Sequence, residues 1–138
     1  MTICEYAHML LRIERPGTDM HEVDEVLESV ASYFSLLSEP TRLKVLHAIC
    51  ERERSVGDIV KETGLTQTNV SRQLSALYAR GVLARRKEGS MVFYRVTDTT
   101  LVELCRAACV RIASRIEERR PLKRALLKFM PGNAHRPK

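Results

Sequence analysis

Several features that mark common protein classes are missing from this chain of 138 residues. No apolar run approaches the ~20 residues of a membrane-spanning helix, and the first seventeen residues lack the basic start of a signal peptide. No Gly-rich phosphate loop, nucleophile–base arrangement or pair of cleft carboxylates is visible. The sequence therefore predicts a cytoplasmic protein that is not an enzyme and has no membrane partner.

The cysteines lack the spacing of a structural zinc site, because no CxxC pair and no suitably spaced histidine accompanies them. The four thiols belong to Cys4, Cys50, Cys105 and Cys109. Structural disulfides are not expected in a chain without an export signal. The thiols are therefore expected to be reduced, either packed as small apolar side chains or available for chemistry.

Positive charge is distributed unevenly along the chain, whose net charge is +6. Residues 1–40 hold two arginines against eight carboxylates, a net charge of −6, and the remaining residues therefore carry +12. No carboxylate occurs from Thr66 through Lys87. A basic body of this kind favours a polyanionic partner, and nucleic acid is the commonest one.

Apolar periodicity and capping residues predict a mainly helical chain. Helices are expected from near Asp19 to Leu37 and from Pro40, a residue suited to a first helical position, to about Arg52. Two shorter helices are expected at 55–64 and 66–81, each between an N-cap hydroxyl and a closing glycine. The first of these four is long for an element that covers a small core, and a partner subunit would explain its length.

A β-hairpin and two more helical segments complete the chain. Val82-Leu83 and the run from Met91 to Val96 are β-rich and lie on either side of a turn near Gly89. A helix resumes after Asp98, and Pro121 begins a last short basic segment. The apolar stripe of the helix after Asp98 consists of Leu101, Leu104, Cys105, Ala108, Ile112 and Ile116.

The predicted helix from Thr66 to Arg80 has the two faces that a DNA-reading helix needs. Val70, Leu74 and Leu77 would point inward. The polar positions expected to point toward base edges and phosphates are Gln67, Thr68, Asn69, Ser71, Arg72 and Gln73. The hairpin adds a basic set for the DNA backbone, namely Arg85, Arg86, Lys87 and Arg95. The order of these elements predicts a winged helix-turn-helix, a mainly α fold with a small β-hairpin wing.

The segments SEPTRLKVLHAI, SVGDIVKETGLTQTNVSRQLSAL and GVLARRKEGSMVFYRV resemble the ArsR/SmtB family of bacterial repressors. The resemblance covers roughly residues 22–118. It implies a homodimer that forms through its N- and C-terminal helices and binds an inverted-repeat operator in double-stranded DNA. It also implies that an inducer releases the repressor, whereas DNA binding itself requires no cofactor.

The resemblance sets the expected domain organisation as well. The winged helix-turn-helix domain would cover 18–118, with the helix-turn-helix at 55–80, the wing at 82–96 and a dimerisation helix at 98–119. The segments that flank this domain would be an N-terminal arm or short helix at 1–17 and a basic C-terminal extension at 120–138.

Two inducer sites of the family are not expected in this chain. Some members carry thiols at the start of the helix that corresponds to Val56–Thr63, where this sequence reads Ser55-Val56-Gly57-Asp58. Others bind zinc through Asp and His on the final helix. Asp98 matches the first of those ligands, but the positions of the others hold Thr100, Arg111 and Ser114.

The remaining candidates for a sensor are thiols. Cys105 and Cys109 are four residues apart on one helix and share a face, so they could hold arsenite or another soft ion such as Cu(I) or Zn. Cys4 is the favoured third ligand, with Cys50 as a weaker candidate. Two alternatives remain open: thiol chemistry with an oxidant or reactive sulfur, and a repressor whose cysteines only pack in the core or dimer interface and bind no inducer.

Overall fold

The structure is a computed structural model that describes residues 2, 4–5, 20–116 and 120–129, and only the backbone of residues 120, 121, 123 and 129. The chain divides into two compact units, Met1–Ser35 and Leu36–Lys138. Most of the predicted N-terminal arm, the predicted cap Asp19 and the tail beyond residue 129 lie outside the described residues. None of the described helices is long and apolar enough to cross a membrane.

The first unit contains helix α1, Met20–Ser35, which ends two residues before the predicted Leu37. None of its residues is buried. Its large apolar side chains recur at helical spacing along one stripe and are all exposed: Met20, Val26, Leu27, Val30 and Phe34. The helix therefore carries an apolar face that none of the described residues buries.

The second unit is a winged helix-turn-helix, which confirms the predicted fold class. Three of its strands form an antiparallel sheet in the order β1-β3-β2. Its elements in chain order are α2 Pro40–Ile49, β1 Arg54–Ser55, α3 Val56–Thr63, α4 Gln67–Ala79, β2 Leu83–Glu88, β3 Met91–Val96, α5 Thr99–Arg115 and α6 Arg120–Phe129.

Side-chain caps begin the helices of this unit. The Glu39 carboxylate accepts hydrogen bonds from the backbone N–H groups of Thr41 and Arg42 at 2.9 and 3.0 Å, and Pro40 takes the first helical position as predicted. The remaining caps bond the backbone N–H three residues on, at 3.2 Å in each case: Ser55 to Asp58, Thr66 to Asn69, and Asp98 to Leu101. These caps fix where α3, α4 and α5 start.

Glycines end α3 and α4 as predicted. Gly64 has φ of 68° and Gly81 has φ of 74°, the left-handed region in which a side chain is strained. Helix α2 ends at Ile49 rather than at the predicted Arg52, because the chain then turns to add β1 to the sheet. Since α3 ends at Thr63 and α4 begins at Gln67, the turn between them consists of only three residues. This short turn fixes the geometry of the helix-turn-helix.

The core lies where α2, α3, α4 and the start of α5 meet. Its fully buried side chains are Val45, Ile49, Ile59, Val70, Leu74, Leu77 and Leu101. The predicted inward face of α4 is confirmed, since all three of its expected apolar positions belong to this set. Burial of seven such side chains, each worth roughly 1.5–3 kcal/mol, is what holds α4 in a fixed orientation.

The sheet is larger than the sequence predicts. Strand β2 continues to Glu88, although its charged residues have little β-propensity, because each pairs with a residue of β3 from Leu83↔Val96 to Glu88↔Met91. The two residues of β1 pair with Tyr94 and Phe93 on the other edge of β3. Gly89 lies in the connecting turn with φ of 60°.

The predicted apolar stripe of α5 is divided between the core and the exposed surface. Leu101, Cys109 and Ala113 are buried, whereas Ala108 is exposed and Ile112 is 49% exposed. The buried positions differ by multiples of four residues, so the face turned to the core overlaps the predicted stripe only in part. Val110 is also exposed, and α5 therefore presents a second apolar surface outside the core.

Candidate DNA interface and thiol cluster

Helix α4 presents a polar surface at its N-terminal half. Its buried face holds the helix against α2 and α3. Among the residues predicted to read DNA, Gln67, Thr68, Ser71 and Arg72 are exposed and Asn69 is half-buried. These side chains cluster at the end of a recognition helix that normally enters the major groove.

The prediction that Gln73 faces outward is wrong. This residue is 8% exposed, and its side-chain oxygen accepts a hydrogen bond of 3.1 Å from Nε of Arg42 on α2. It lies three residues after the buried Val70 and therefore shares its face of the helix. Gln73 fixes α4 against α2 instead of reaching DNA.

Arg85 and Arg86 point to opposite faces of the wing, because side chains alternate along a strand. Arg85 pairs with Tyr94 across the sheet, and its guanidinium lies 4.3 Å from the ring centre of Tyr78 on α4. This cation–π contact connects the wing to the recognition helix. The other two predicted wing contacts, Lys87 and Arg95, are exposed.

Arg86 is engaged by carboxylates on the opposite face. Its Nε and Nη2 both lie 2.6 Å from Oε1 of Glu53, and its Nη1 donates to Glu88. The guanidinium lies 4.5 Å from the ring centre of Phe93. Hydrogen bonds with Glu88 and Glu53 raise the pKa of Arg86 above its ordinary value. In this arrangement its charge is balanced within the protein, unlike that of a free phosphate-binding side chain.

Two cysteines from different helices meet beside the core. Cys50 is the C-cap of α2, and its Sγ donates to the backbone oxygen of His47 at 3.1 Å. Cys50 and Cys105 line one apolar cavity of about 20 Å³, together with Leu43, Leu46, His47, Leu101 and Val102. A cavity of this volume has room for roughly one water-sized species. Cys50 is therefore a better partner for Cys105 than the sequence indicated.

The pKa values of two thiols in this cluster are raised above the ordinary cysteine value. Burial raises the pKa of Cys105 to about 11, and Cys109, which shares a hydrogen bond with it, and Cys50 add to the effect. Burial, followed by the charge of Glu51, also raises the pKa of Cys50. Cys109 is itself buried. Cys50, Cys105 and Cys109 are called the thiol cluster below.

Within the described parts of the chain, no group of three His, Cys, Asp or Glu side chains is positioned to coordinate a metal ion. Cys4, the favoured third ligand from the sequence, is exposed and belongs to the first unit. Among the described residues, the cluster is therefore a set of neighbouring thiols and not a finished coordination site.

Several important side chains are not identifiable from the sequence alone. Glu88 stands two residues from Arg86 on one strand, so period-2 alternation could have paired them. Glu53 and Tyr78 give no comparable signal, because their partners Arg86 and Arg85 meet them only through the tertiary fold. The same is true of the Arg42–Gln73 contact.

Known proteins are similar to this chain in sequence and in fold. Residues 39–84 match the family model described as bacterial regulatory protein, arsR family. The chain is 31% identical over 99 residues to the uncharacterized HTH-type transcriptional regulator Rv0081 of Mycobacterium tuberculosis, which covers 71% of this chain and 87% of that protein. It is 33% identical over 105 residues to a probable mercury resistance operon repressor of Streptomyces lividans, with 67% and 84% covered.

A solved structure of a transcriptional repressor is also similar to this chain. The crystal structure of the AntR antimony-specific transcriptional repressor has a TM-score of 0.61 and 25% identity, with 78% of this chain and 94% of that chain covered. These relatives are transcriptional regulators rather than enzymes. The chain therefore belongs to the ArsR family of bacterial regulatory proteins, as a DNA-binding winged helix-turn-helix repressor.

Proposed function

We propose that this repressor is a homodimer released from an inverted-repeat operator when arsenite, or a similar soft trivalent ion, bridges the thiol cluster. The observation that carries the proposal is the shared cavity of Cys50 and Cys105, which belong to different helices. An ion that joins them would join α2 to α5. Cys109 is the third candidate ligand, and Cys4 stays a candidate from the first unit.

The protonation of the thiols favours a neutral trihydroxide over a divalent cation. When arsenic trihydroxide condenses with a thiol, an As–S bond replaces an As–O bond, and the thiol proton leaves with the hydroxide as water. Arsenic stays trivalent, and no proton is released into solution. A divalent cation must instead expel each thiol proton, which a pKa of about 11 at Cys105 opposes.

The same raised pKa disfavours an oxidant as the inducer. The thiolate is the nucleophile that attacks peroxides and polysulfides, and reactive sensor cysteines have lowered pKa values. Burial raises the pKa of both Cys105 and Cys50. The names of two relatives, a mercury resistance operon repressor and an antimony-specific repressor, also support a soft ion, because thiolates are the ligands that soft ions prefer.

The homodimer is supported by apolar surface that each unit leaves uncovered. Phe34 and Val26 of α1 are 52% and 58% exposed, and Val110 and Ile112 of α5 are 52% and 49% exposed. Contiguous apolar surface of this kind marks interaction sites on soluble proteins. A two-fold axis between the copies would also place two α4 helices for the two half-sites of a palindromic operator.

Within this function, we assign base reading to the exposed end of α4 and phosphate contact to the wing. Arg72 is the strongest candidate for a guanine, because its guanidinium can donate two hydrogen bonds to one base. The other proposed readers are Gln67, Thr68, Asn69 and Ser71. Arg85, Lys87 and Arg95 would supply the salt-dependent part of the affinity.

Release follows if loaded and free repressor differ in shape. A ligand shifts a conformational equilibrium only through its different affinity for the two states. The thiols of the free protein are not arranged as a ligand set, so capture of an ion requires movement of α2 relative to α5. That movement would alter the spacing or orientation of the two α4 helices.

The test is a fluorescence titration of a duplex that the protein itself selects from random-sequence DNA, with and without sodium arsenite. Arsenite should weaken binding by the wild type by roughly 5–150-fold, the usual range of allosteric coupling. The variants Cys50→Ser and Cys105→Ser should bind the duplex normally but lose the response. Cys4→Ser is the matched control in the other unit, and its response decides whether Cys4 takes part.

Separate arms with Zn²⁺, hydrogen peroxide and an organic polysulfide compare the competing inducers. Release by peroxide or polysulfide alone would replace the soft ion with thiol oxidation. Unchanged binding in every arm would mean that the cysteines sense nothing, and the repressor would then be governed by its abundance or by a partner.

A further inference from the structure

The segment that follows Cys50 connects three parts of the DNA-binding unit. Cys50 ends α2, and only three residues later Glu53 binds Arg86 of the wing. The next residue, Arg54, forms an ion pair of 2.6 Å with Glu62 at the end of α3. A displacement of the Cys50 backbone therefore acts directly on the contacts that hold the wing and α3.

The Glu53–Arg86 contact is suited to hold the wing in one position. Two nitrogens of the guanidinium lie on a single carboxylate oxygen, and the third donates to Glu88. The face of the same guanidinium lies over the ring of Phe93. Contacts of its nitrogens and of one face therefore fix the orientation of the guanidinium. The Glu53 side chain is 27% exposed and that of Glu88 is 67% exposed. The Glu53 pair is therefore less screened by water than an ordinary surface ion pair.

We infer that the Glu53–Arg86 ion pair is the positioning contact through which occupation of the thiol cluster moves the wing. This inference rests on the proposed function, because it concerns the route by which the thiol site acts on DNA binding. Neither residue binds the ion or a base. Arg86 is thus a positioning residue, although the sequence alone assigns it to the DNA backbone.

The route begins at the sulfur of Cys50. In the free protein this thiol donates to the carbonyl of His47 within the last turn of α2. A bond from the sulfur to an ion shared with Cys105 would end that hydrogen bond and draw the C-cap of α2 toward α5. Glu53 follows three residues later. Its contact with Arg86, in which two guanidinium nitrogens share one carboxylate oxygen, would move β2 in the same direction.

Movement of β2 changes the DNA-binding surface. Arg85, next to Arg86, lies over Tyr78 of α4, so a shift of the strand disturbs the packing between the wing and the recognition helix. Lys87 and Arg95 would leave the DNA backbone together. The Arg42–Gln73 hydrogen bond is a less direct route, since Arg42 lies eight residues before Cys50 and at the opposite end of α2.

Two variants separate this role from a simple effect of charge. Glu53→Gln and Glu88→Gln each remove one carboxylate from Arg86 and change the net charge equally. Both should strengthen DNA binding in the absence of arsenite by a similar factor of a few fold. Only Glu53→Gln removes the charge attraction that ties Arg86 to the segment after Cys50.

The measured quantity is the ratio of the duplex Kd with arsenite to the Kd without it. We expect Glu88→Gln to keep the ratio of the wild type within about twofold, and Glu53→Gln to bring it close to one. Arsenite uptake, followed by the ultraviolet absorbance of As–S bonds, should be the same in all three proteins. Equal melting temperatures would show that the lost coupling is not a loss of fold.

The outcomes distinguish this inference from the proposed function. A wild type that takes up no arsenite or does not respond overturns the proposed function, and the inference with it. A responsive wild type overturns the inference alone if Glu53→Gln responds normally or if Glu88→Gln loses the response as well. Loss of arsenite uptake in Glu53→Gln also overturns it, because Glu53 would then support the thiol site itself.

Discussion

The DNA-reading surface and the thiol cluster of this repressor are built in different ways. The reading surface consists of exposed polar and basic side chains on α4 and the wing, and local signals such as Thr66 and Gly81 determine its position. The thiol cluster consists of the half-buried Cys50 and Cys105 and the buried Cys109, and Cys50 at the end of α2 lies 55 residues before Cys105 on α5. The side chains of the proposed reading surface are exposed, whereas Cys50 and Cys105 line a small apolar cavity beside the core.

Under the proposed function, the two parts would be coupled without overlapping. DNA binding depends on charge and on the orientation of α4, which the core fixes. The thiols are part of the same core, because Leu101, which is 1% exposed, also lines their cavity. We expect a change at the cluster to reach the DNA-binding surface through short-range contacts, namely core packing and the Glu53–Arg86 ion pair.

The largest expected effect tests whether the thiol cluster belongs to the main core. Leu101→Ala should lower the free energy of unfolding by about 2–5 kcal/mol, because it removes a buried side chain and enlarges the cavity beside Cys105. Urea unfolding followed by circular dichroism measures the change. Val110→Ala on the exposed side of α5 is the control in the monomeric state. A loss below ~1 kcal/mol in Leu101→Ala would make the cluster a peripheral site.

The next prediction concerns the reading surface. Arg72→Ala should weaken binding of the selected duplex by about 1–3 kcal/mol, roughly 5–150-fold, and relax the preference at one base pair. Arg111→Ala, which removes the same charge from an exposed position of α5, should change the affinity much less. Competition titrations with single-base variants of the duplex measure both effects. Equal losses in the two variants would mean that only net charge matters.

Local signals in the sequence are sufficient for most of the fold and for the orientation of α4. The caps at Ser55, Thr66 and Asp98 and the closing Gly64 all occur where the sequence places them. These features depend on residues three or four positions apart, which a single sequence displays.

Pairings between distant residues are the part that the sequence does not reveal. Polar residues are usually outward, which predicts Gln73 at the DNA, but Arg42 lies 31 positions away and satisfies its side chain inside. The charge of Arg86 predicts a phosphate contact, but Glu53 lies 33 positions away and balances it. The preference for Cys4 over Cys50 likewise takes no account of the cavity between α2 and α5.

Because Gln73 is buried and Gln67 is exposed, substitutions at these two positions should have opposite effects on stability and on base preference. Both effects should be smaller than those described above. Gln73→Ala should lower the free energy of unfolding by about 0.5–1.5 kcal/mol through loss of its hydrogen bond with Arg42, while base preference stays unchanged. Gln67→Ala, at an exposed position of the same helix, should do the reverse. Parallel urea unfolding and DNA titration of both variants measure the contrast. A change of base preference in Gln73→Ala would return this residue to the reading surface.

The last expected effect is a fall of stability with rising pH, to which the Cys105 thiol contributes. The Cys105 thiol ionises near the ordinary cysteine pKa of 9.0 in the unfolded chain, but its pKa is about 11 in the folded protein. Between these values the unfolded state binds fewer protons than the folded one, so stability falls as pH rises and is fully retained below the lower value. Cys105→Ser should therefore show a shallower fall of melting temperature over this range than the wild type.

The exposed Cys4 serves as the reference thiol in an alkylation experiment, because it should react with iodoacetamide well before Cys105 at about pH 8. Equal alkylation rates at the two positions would show that Cys105 is not protected, and the preference for a neutral trihydroxide over an oxidant would lose its physical basis.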